Sequence, residues 1–419
     1  MFQPLYPCCN CTIFVRKRGI FQILAVRASR IIGKKHRTRL GQKRTMIDQN
    51  RFGQTVLVLQ GGGALGAYQI GVYQALHEAG VKLDWIIGTS IGAINAALIA
   101  GTPPAERLER MTEFWRRVET AAHLPAALPL WLTQAARNMV ALSLGVPNFF
   151  EPQPAAFFNP HLPLGSEHVG YYSVAPLAAT LGALVDFDLL NNGPTRLTVG
   201  AAAVTSGAMR YFDSRDMPID VRHIMASGAL PPAFPPVRID GALYWDGGIV
   251  SNTPVEAVFD DMPRRSGVIF AVHLWNGEGR EPETIWEVMH RQKDVQYASR
   301  AASHIHRQRQ IHTLRRVVQQ LTDMLPEQLR SSEEAQALAA YGCRTRMHVV
   351  RLLVPALENE DHAKDIDFSP ASIAARRAAG YDHTRRVLEE RPWEAPVEED
   401  EGFVLHEACG GEMQAPLGG

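Results

Sequence analysis

The hydrophobic positions from residue 55 onward switch between the period of a strand and the period of a helix. Residues 55–60 form a continuous apolar run, which is typical of a strand buried on both faces of a parallel sheet. Residues 65–76 repeat apolar side chains at helical spacing, whereas residues 81–87 alternate apolar and polar side chains as a strand does. Residues 93–100 are good helix formers. The pattern therefore predicts a strand–helix–strand unit followed by a second helix.

The same alternation returns further along the chain. The predicted strands cover residues 195–204, 208–212, 267–274 and 346–354, and the predicted helices cover residues 174–184, 219–225, 285–329 and 368–388. Strands that alternate with helices are typical of α/β proteins with a mainly parallel sheet. We therefore expect one large α/β region with helical additions toward the carboxyl terminus.

A serine lies at the corner between the second predicted strand and the helix that follows it. Ser90 is flanked by Gly88 and Gly92 in a Gly-x-Ser-x-Gly pattern. Such a corner exposes the hydroxyl in a strained backbone conformation, and glycines are needed where the chain doubles back. The helix also directs its first amides and its positive dipole end toward the serine. Ser90 is therefore a candidate nucleophile.

A glycine-rich turn follows the first predicted strand. Residues Gly61–Gly66 place backbone amides ahead of a helix, an arrangement that attracts negative charge. One interpretation is a nucleotide phosphate site, for which Asp84 would be the acidic residue, although it lies inside its strand. The other is an oxyanion hole for an acyl intermediate. The position one strand before Ser90 favours the oxyanion hole, because both loops would emerge at one edge of the sheet.

Ser90 requires a general base, and the residues leave two candidates. Asp246 ends a predicted strand directly before Gly247 and Gly248, which admit close approach of a substrate or the backbone. His273 ends another predicted strand and would complete a Ser-His-Asp triad. The remaining histidines of interest, His304, His306 and His312, lie in a long polar helical stretch and are expected to face solvent. A Ser90–Asp246 dyad thus competes with a triad that includes His273.

Three motifs in this order resemble the signature of the patatin-like phospholipases, and in particular of their bacterial branch. They are Gly61–Gly66, Gly88–Gly92 and Asp246–Gly248, and the Asn252-x-Pro254 segment is also similar to that family. The resemblance covers roughly residues 55–260. It implies a three-layer α/β/α sandwich of the patatin type, with a mostly parallel central sheet and a helical C-terminal extension.

The resemblance also implies a chemistry. Ser90 would attack a lipid ester carbonyl, and Asp246 would act as its general base without a histidine. The amides of Gly61, Gly62 and Gly63 would form the oxyanion hole. The supporting motif glycines would be Gly66, Gly88, Gly92, Gly247 and Gly248. No metal or organic cofactor is implied.

The chain is expected to divide into four parts. Residues 1–45 form a basic N-terminal extension that is disordered or results from a mis-assigned start, and residues 55–260 form the catalytic domain. Residues 261–390 form an α/β extension, and residues 391–419 form an acidic mobile tail. Within the catalytic domain, the aromatic and proline-rich residues 120–165 are either a cover over an apolar cleft or a packed insertion.

The charge distribution and the cysteine content indicate which partners and which cellular compartment to expect. Residues 1–45 hold 11 Lys or Arg and no Asp or Glu, whereas the remainder holds 32 basic and 43 acidic residues, so a nucleic-acid partner is not expected. Five cysteines, an odd and sparse set, favour a reducing, cytoplasmic compartment. The basic helix at 368–388 either touches anionic lipid at a membrane surface or is simply solvated. The sequence leaves the oligomeric state open.

We therefore expect a serine acyl hydrolase that cleaves phospholipid or acylglycerol esters through an acyl-enzyme. The alternatives are an acyltransferase or thioesterase with the same dyad, a nucleotide-binding module that uses the glycine-rich loop, and a lipid-binding scaffold without turnover.

Overall fold

The computed structural model describes residues 47–120, 140–159, 161–355, 357, 363–398 and 401–407. The interpretations of residues 1–45 and of residues 121–139 lie outside these ranges. The strands are β1 (Gln54–Leu59), β2 (Trp85–Gly88), β3 (Glu151–Pro152), β4 (Tyr172–Ser173), β5 (Arg196–Ala203), β6 (Met209–Asp213), β7 (Val237–Ile239), β8 (Ala242–Asp246), β9 (Gly267–His273), β10 (Met347–Leu353) and β11 (Phe403–Glu407).

Helices connect and cover these strands. The α-helices are α1 (Gln49–Phe52), α2 (Ala67–Glu78), α3 (Ile91–Ala100), α4 (Arg107–Arg117), α5 (Pro154–Phe158), α6 (Ala175–Leu184), α7 (Phe187–Asn192), α8 (Val221–Ser227), α9 (Glu256–Phe259), α10 (Ile285–Met324), α11 (Glu327–Arg330), α12 (Glu333–Ala339) and α13 (Pro370–Glu390). Short 3-10 turns lie at Gly63–Gly66, Gly247–Ile249, Lys364–Ile366 and Pro392–Glu394.

The main sheet has the strand order β11-β10-β9-β1-β2-β5-β8-β7, and β6 pairs with β5. The strands from β11 to β5 run parallel, whereas β6 and β8 are antiparallel to β5 and β7 is antiparallel to β8. The carboxyl ends of parallel strands share one edge of a sheet. The glycine-rich loop after β1 and the Ser90 corner after β2 therefore meet at that edge.

Alternating side chains of the central strands pack into two separate layers. Leu57 and Leu59 join the core formed with α2, α3 and α4 on one face. Val56 and Val58 join a second core on the opposite face, which includes residues of α9 and α10. Side chains of successive strand residues point to opposite faces, so the continuous apolar run of β1 is explained by burial on both faces. The predicted three-layer α/β/α architecture with a mostly parallel sheet is confirmed.

The chain beyond residue 260 completes the central sheet. Strand β9 pairs with β1 along its whole length, from Gln54 opposite Gly267 to Leu59 opposite Val272, and β10 pairs with β9 in turn. The interpretation of residues 391–419 as a mobile tail was wrong for β11, which pairs with β10 and buries Phe403. The surrounding sequence is acidic and therefore does not indicate a strand, but the apolar side chain of Phe403 in this short strand packs in the second core.

Helix α13 packs closely on α2, the helix that follows the glycine-rich loop. A Cβ at Gly380 would collide with the backbone carbonyl of Tyr68, and one at Gly71 would collide with backbone atoms of Arg377. Glycine at both positions lets the two helix backbones approach each other. At the same contact, the buried Tyr68 hydroxyl and His383 Nδ1 share a hydrogen bond of 2.6 Å.

Helix α10 is the longest helix and begins with a capping box in which Thr284 and Glu287 satisfy each other's backbone amides. No helix within the described ranges is both long and apolar enough to cross a membrane.

Candidate active site

Ser90 occupies a strained corner between β2 and α3. Its φ of 58° is rare for a residue with a side chain. A Cβ at Gly88 would collide with the backbone of Gly92, and one at Gly92 with the carbonyl of Leu59, so both positions require glycine. The Ser90 amide donates to the carbonyl and the hydroxyl of Ser227, both at 3.1 Å. These bonds hold the corner in the conformation that projects the hydroxyl, as the motif predicts.

The register of the sheet brings Asp246 to Ser90. Gly88 at the end of β2 lies opposite Val199 of β5, so Ser90 comes level with Ala201 two residues further on. Ala201 pairs on its other side with Asp246 of β8. The Ser90 side chain lies close enough to the Asp246 carboxylate to lower its pKa. Two residues 156 positions apart in sequence thereby come into contact across the end of one strand.

Asp246 is buried, and the structure holds its carboxylate in a fixed orientation. The carboxylate accepts a hydrogen bond of 2.7 Å from the amide of Gly248, and only 2% of the residue is exposed. Burial raises the pKa of Asp246 to about 6, against the opposing effects of the nearby Ser90 hydroxyl and of the hydrogen bond from the Gly248 amide. A carboxylate with this pKa is ionised at neutral pH and is more basic than an exposed one.

The glycine-rich loop lies directly beside Ser90. A Cβ at Gly61 would come within 2.9 Å of Ser90 Cβ. Among the described residues, no protein acceptor is found for the amides of Gly62 and Gly63, and Gly63 adopts a φ of 54°. The Gly61 amide was predicted to be an oxyanion donor, but it donates instead to the Asn252 carbonyl at 3.3 Å. Two of the three predicted donors are therefore available to a ligand.

His273 does not contact the candidate dyad. It ends β9 as predicted, but its side chain is fully buried and neither ring nitrogen has a hydrogen-bond partner within the described part of the chain. Burial, together with the charge of Arg351, lowers the pKa of His273 to about 3. The structure thus brings together Ser90 and Asp246 without His273.

Asp84, the acidic residue of the nucleotide-binding alternative, lies away from the glycine-rich loop. Its carboxylate accepts a hydrogen bond of 2.8 Å from the amide of Thr55, at the opposite end of β1 from Gly61. In the ranges that the structure covers, no group of three or more His, Cys, Asp or Glu side chains is arranged to hold a metal ion.

Two further side chains hold the loop, and the sequence did not assign them a role. The Gly61 carbonyl accepts hydrogen bonds from Asn252 Nδ2 at 3.0 Å and from the Trp275 indole nitrogen at 2.9 Å. Asn252 follows the Asp246 motif closely, which was the available signal. Trp275 carried no motif, and only its position just after β9 could have indicated it.

Two sequence models of known families match the chain. One, described as "Patatin-like phospholipase", matches residues 57–259, and the other, described as "Patatin phospholipase", matches residues 295–400. Residues 57–259 form a domain of the patatin-like phospholipase family. The first match contains Ser90, Asp246 and the glycine-rich loop, so the predicted family is confirmed on the motifs that indicated it. The second match covers most of α10 and all of α13, so the C-terminal part of this patatin-like chain also belongs to a recognised family.

Similar proteins carry related names. Mouse patatin-like phospholipase domain-containing protein 6 is 31% identical over 209 residues, which are 49% of this chain and 12% of the mouse protein. Lysophospholipase nte1 of Aspergillus terreus is 64% identical over 44 residues, which are 10% of this chain and 3% of the fungal protein. VipD of Legionella pneumophila aligns over 80% of this chain and 67% of its own, with 17% identity and a TM-score of 0.34. The chain thus spans a small part of the two curated relatives, and the bacterial branch stays a prediction.

Proposed function

We propose that this patatin-like chain is a serine acyl hydrolase that cleaves lipid esters through an acyl-enzyme at Ser90. Asp246 removes the Ser90 proton as the oxygen attacks the ester carbonyl. The protonated Asp246 then gives that proton to the departing alcohol, which leaves the acyl group on Ser90. Asp246 next takes a proton from the attacking water and returns it to the Ser90 oxygen as the fatty acid is released, which restores both residues.

The amides of Gly62 and Gly63 are the proposed donors to the oxyanion. They precede α2, so the positive end of the helix dipole adds to their effect. Donors that are fixed before the reaction stabilise the developing charge without reorganisation, and each is worth about 3 kcal/mol of the barrier.

The proximity of Ser90 to the buried Asp246 carries this proposal. It places a strained serine beside a carboxylate whose pKa, at about 6, suits a general base near neutral pH. The lipid substrate class rests on the family membership and on the phospholipase and lysophospholipase names of the relatives.

Hydrolysis of p-nitrophenyl esters of graded chain length and of lysophospholipid tests the proposal. We expect Ser90→Ala and Asp246→Asn each to lose at least about a thousandfold in kcat. His273→Leu and the matched carboxylate control Asp261→Asn should retain activity. If His273→Leu were inactive while Asp261→Asn remained active, a triad that includes His273 would replace the dyad. A wild-type rate no higher than that of Ser90→Ala would refute an ester hydrolase.

Added alcohol or thiol acceptors separate hydrolysis from acyl transfer. A hydrolase continues to release the acyl group mainly as free fatty acid when the acceptor is present. If the acyl group instead appears mainly on the acceptor, the same acyl-enzyme belongs to an acyltransferase.

A further inference from the structure

The glycine-rich loop is covered by a turn from the C-terminal part of the chain. We refer to residues 363–367 as the Lys364 turn. A Cβ at Gly63 would collide with the backbone carbonyl of Asp365, so the turn lies directly against the residue that offers one of the proposed oxyanion amides. The turn and the loop are about 300 positions apart in sequence, and only the folded chain brings them together.

A buried ion pair fixes this turn to α10. Lys364 Nζ lies 2.7 Å from Asp294 Oδ1, and both side chains are less than 10% exposed. Burial opposes the charged form of Asp294, but the hydrogen bond from His290 and the charge of Lys364 keep the pKa of Asp294 below its usual value. The Asp294 carboxylate is therefore ionised at neutral pH. Removal of one partner from such a pair leaves a buried charge without compensation.

A second contact holds the turn from α13. The buried Arg376 side chain donates to the carbonyl of Lys364 at 2.8 Å and to that of Asp367 at 3.2 Å. Both ends of the turn are thus bound to one guanidinium, whose planar donors suit two fixed acceptors.

The same cluster reaches the other end of the loop through Trp275. Lys364 Nζ lies 5.5 Å from the centre of the Trp275 ring, a cation–π geometry, and the indole nitrogen donates to the Gly61 carbonyl at 2.9 Å. The ring also stacks on Tyr297 of α10 at 4.8 Å between centres. Gly61 is therefore held by Trp275, which contacts Lys364, and Gly63 lies against the turn that Lys364 joins to Asp294.

We propose that Asp294, Lys364 and Trp275 are positioning residues that set the geometry of the oxyanion loop. The inference rests on the proposed function, because it assigns the C-terminal part of the chain a role in the same reaction. The loop amides act on the charge that develops in the transition state, so a displaced loop lowers kcat and leaves KM nearly unchanged.

Asp294→Asn and the milder Trp275→Phe test this role. We expect each to lower kcat about tenfold to a hundredfold, since small displacements of reacting groups have effects of this size. KM should stay within about twofold of wild type. Amide hydrogen exchange of residues 61–66 should accelerate in both variants, while exchange in β5 stays unchanged.

Asp261→Asn is the matched control. Asp261 is a buried carboxylate paired with Arg196 at 3.0 Å, and Arg196 begins β5 at the sheet edge opposite Ser90. This variant should lose stability as Asp294→Asn does, but keep its kcat and its loop exchange. If kcat fell equally in Asp261→Asn, the lower kcat of Asp294→Asn would be explained by lost stability, and the proposal would be overturned.

Hydrogen exchange separates this proposal from the proposed function. If wild type hydrolyses no ester but loop exchange rises in Asp294→Asn and Trp275→Phe, the positioning of the loop stands and the ester chemistry falls. Unchanged loop exchange in both variants overturns the positioning role, whatever the activity of the wild-type protein.

Discussion

Ser90 and Asp246 lie close together near the end of β5, and each reaches this position from a different neighbouring strand. The register of β8, whose last residue pairs with Ala201 near the carboxyl end of β5, places Asp246 near the edge where the parallel strands end. Burial there keeps the carboxylate away from water, so its basicity is raised in the place where a proton must be taken from Ser90.

The first prediction concerns the pH dependence of kcat/KM. Because burial raises the pKa of Asp246 to about 6, the base is protonated below that pH and the rate should fall. We expect kcat/KM to rise with pH through a midpoint near 6 and then level off, measured with a p-nitrophenyl ester from pH 4.5 to 8.5. A profile that stays flat down to pH 4.5 would exclude this carboxylate as the base.

The second prediction concerns the free energy of unfolding of Asp246→Asn. The pKa of Asp246 is about 6 in the folded chain against 3.8 for an unperturbed aspartate, so between these values the native state binds more protons than the unfolded state. Stability of the wild type therefore falls as pH rises from about 4 to 6. Asparagine does not titrate, so its stability has no such pH dependence. The free energy of unfolding of Asp246→Asn should therefore rise by up to about 3 kcal/mol relative to wild type between pH 4 and pH 8.

Denaturant unfolding at pH 4, 6 and 8 measures this gain, and Asp261→Asn supplies the opposite case. Although burial opposes its charge, Arg196 and Arg215 lower the pKa of Asp261, so its contribution to stability is present at neutral pH and is lost as pH falls. Its amide variant should therefore be less stable than wild type at pH 8, by a margin that shrinks in acid. If the free energies of unfolding of both variants changed with pH as that of wild type does, both predicted differences would be contradicted.

The elements around the motifs could be predicted because their signals are local. A continuous apolar run identified residues 55–60, and the structure has β1 at Gln54–Leu59. The Gly-x-Ser-x-Gly corner correctly placed Ser90 between a strand and a helix, because glycines at 88 and 92 are required by contacts within a few residues or with the adjacent strand. The residues alone left the base open, and the family resemblance indicated Asp246.

The contacts that complete the site could not be predicted because they join distant parts of the chain. Asn252 and Trp275 meet Gly61 across 191 and 214 positions, through a strand order in which β9 lies beside β1. His312 was expected to face solvent, and that expectation was wrong. It is buried against Phe259 because one face of the polar helix α10 packs on the sheet. A weak helical periodicity does not reveal which face is covered.

The third prediction concerns His273. Its buried ring leaves both nitrogens without partners within the described chain, which costs stability that an apolar side chain of similar size would not incur. We expect His273→Leu to raise the free energy of unfolding by about 1 kcal/mol at pH 8. Circular dichroism with urea unfolding measures it. His273→Asn, which keeps a buried polar group, serves as the control and should show no gain.

Acid sensitivity provides a second measurement on the same variant. The pKa of His273 is lowered from 6.5 to about 3, so between these values the unfolded chain binds a proton that the folded chain does not. Stability of wild type is thus lost as pH falls from about 6.5 to 3, and His273→Leu should lose less over that range. An unchanged acid slope in His273→Leu would show that other groups dominate it.

The fourth prediction compares two helical glycines. A Cβ at Gly380 of α13 would collide with the Tyr68 carbonyl of α2, whereas a Cβ at Gly182 of α6 would meet no atom within 4 Å. Gly380→Ala must push the two helices apart and should cost about 2 kcal/mol. Gly182→Ala removes backbone freedom from the unfolded chain without a clash and should add about 0.5–1 kcal/mol.

Thermal unfolding of both alanine variants distinguishes contact from propensity. Helix α2 continues directly from the glycine-rich loop, so separating it from α13 should also lower kcat in Gly380→Ala, while Gly182→Ala keeps the wild-type rate. If both substitutions raised the melting temperature, the close approach of α2 and α13 would not exist in solution. If Gly380→Ala were destabilised but fully active, this helix contact would support the fold without controlling the loop.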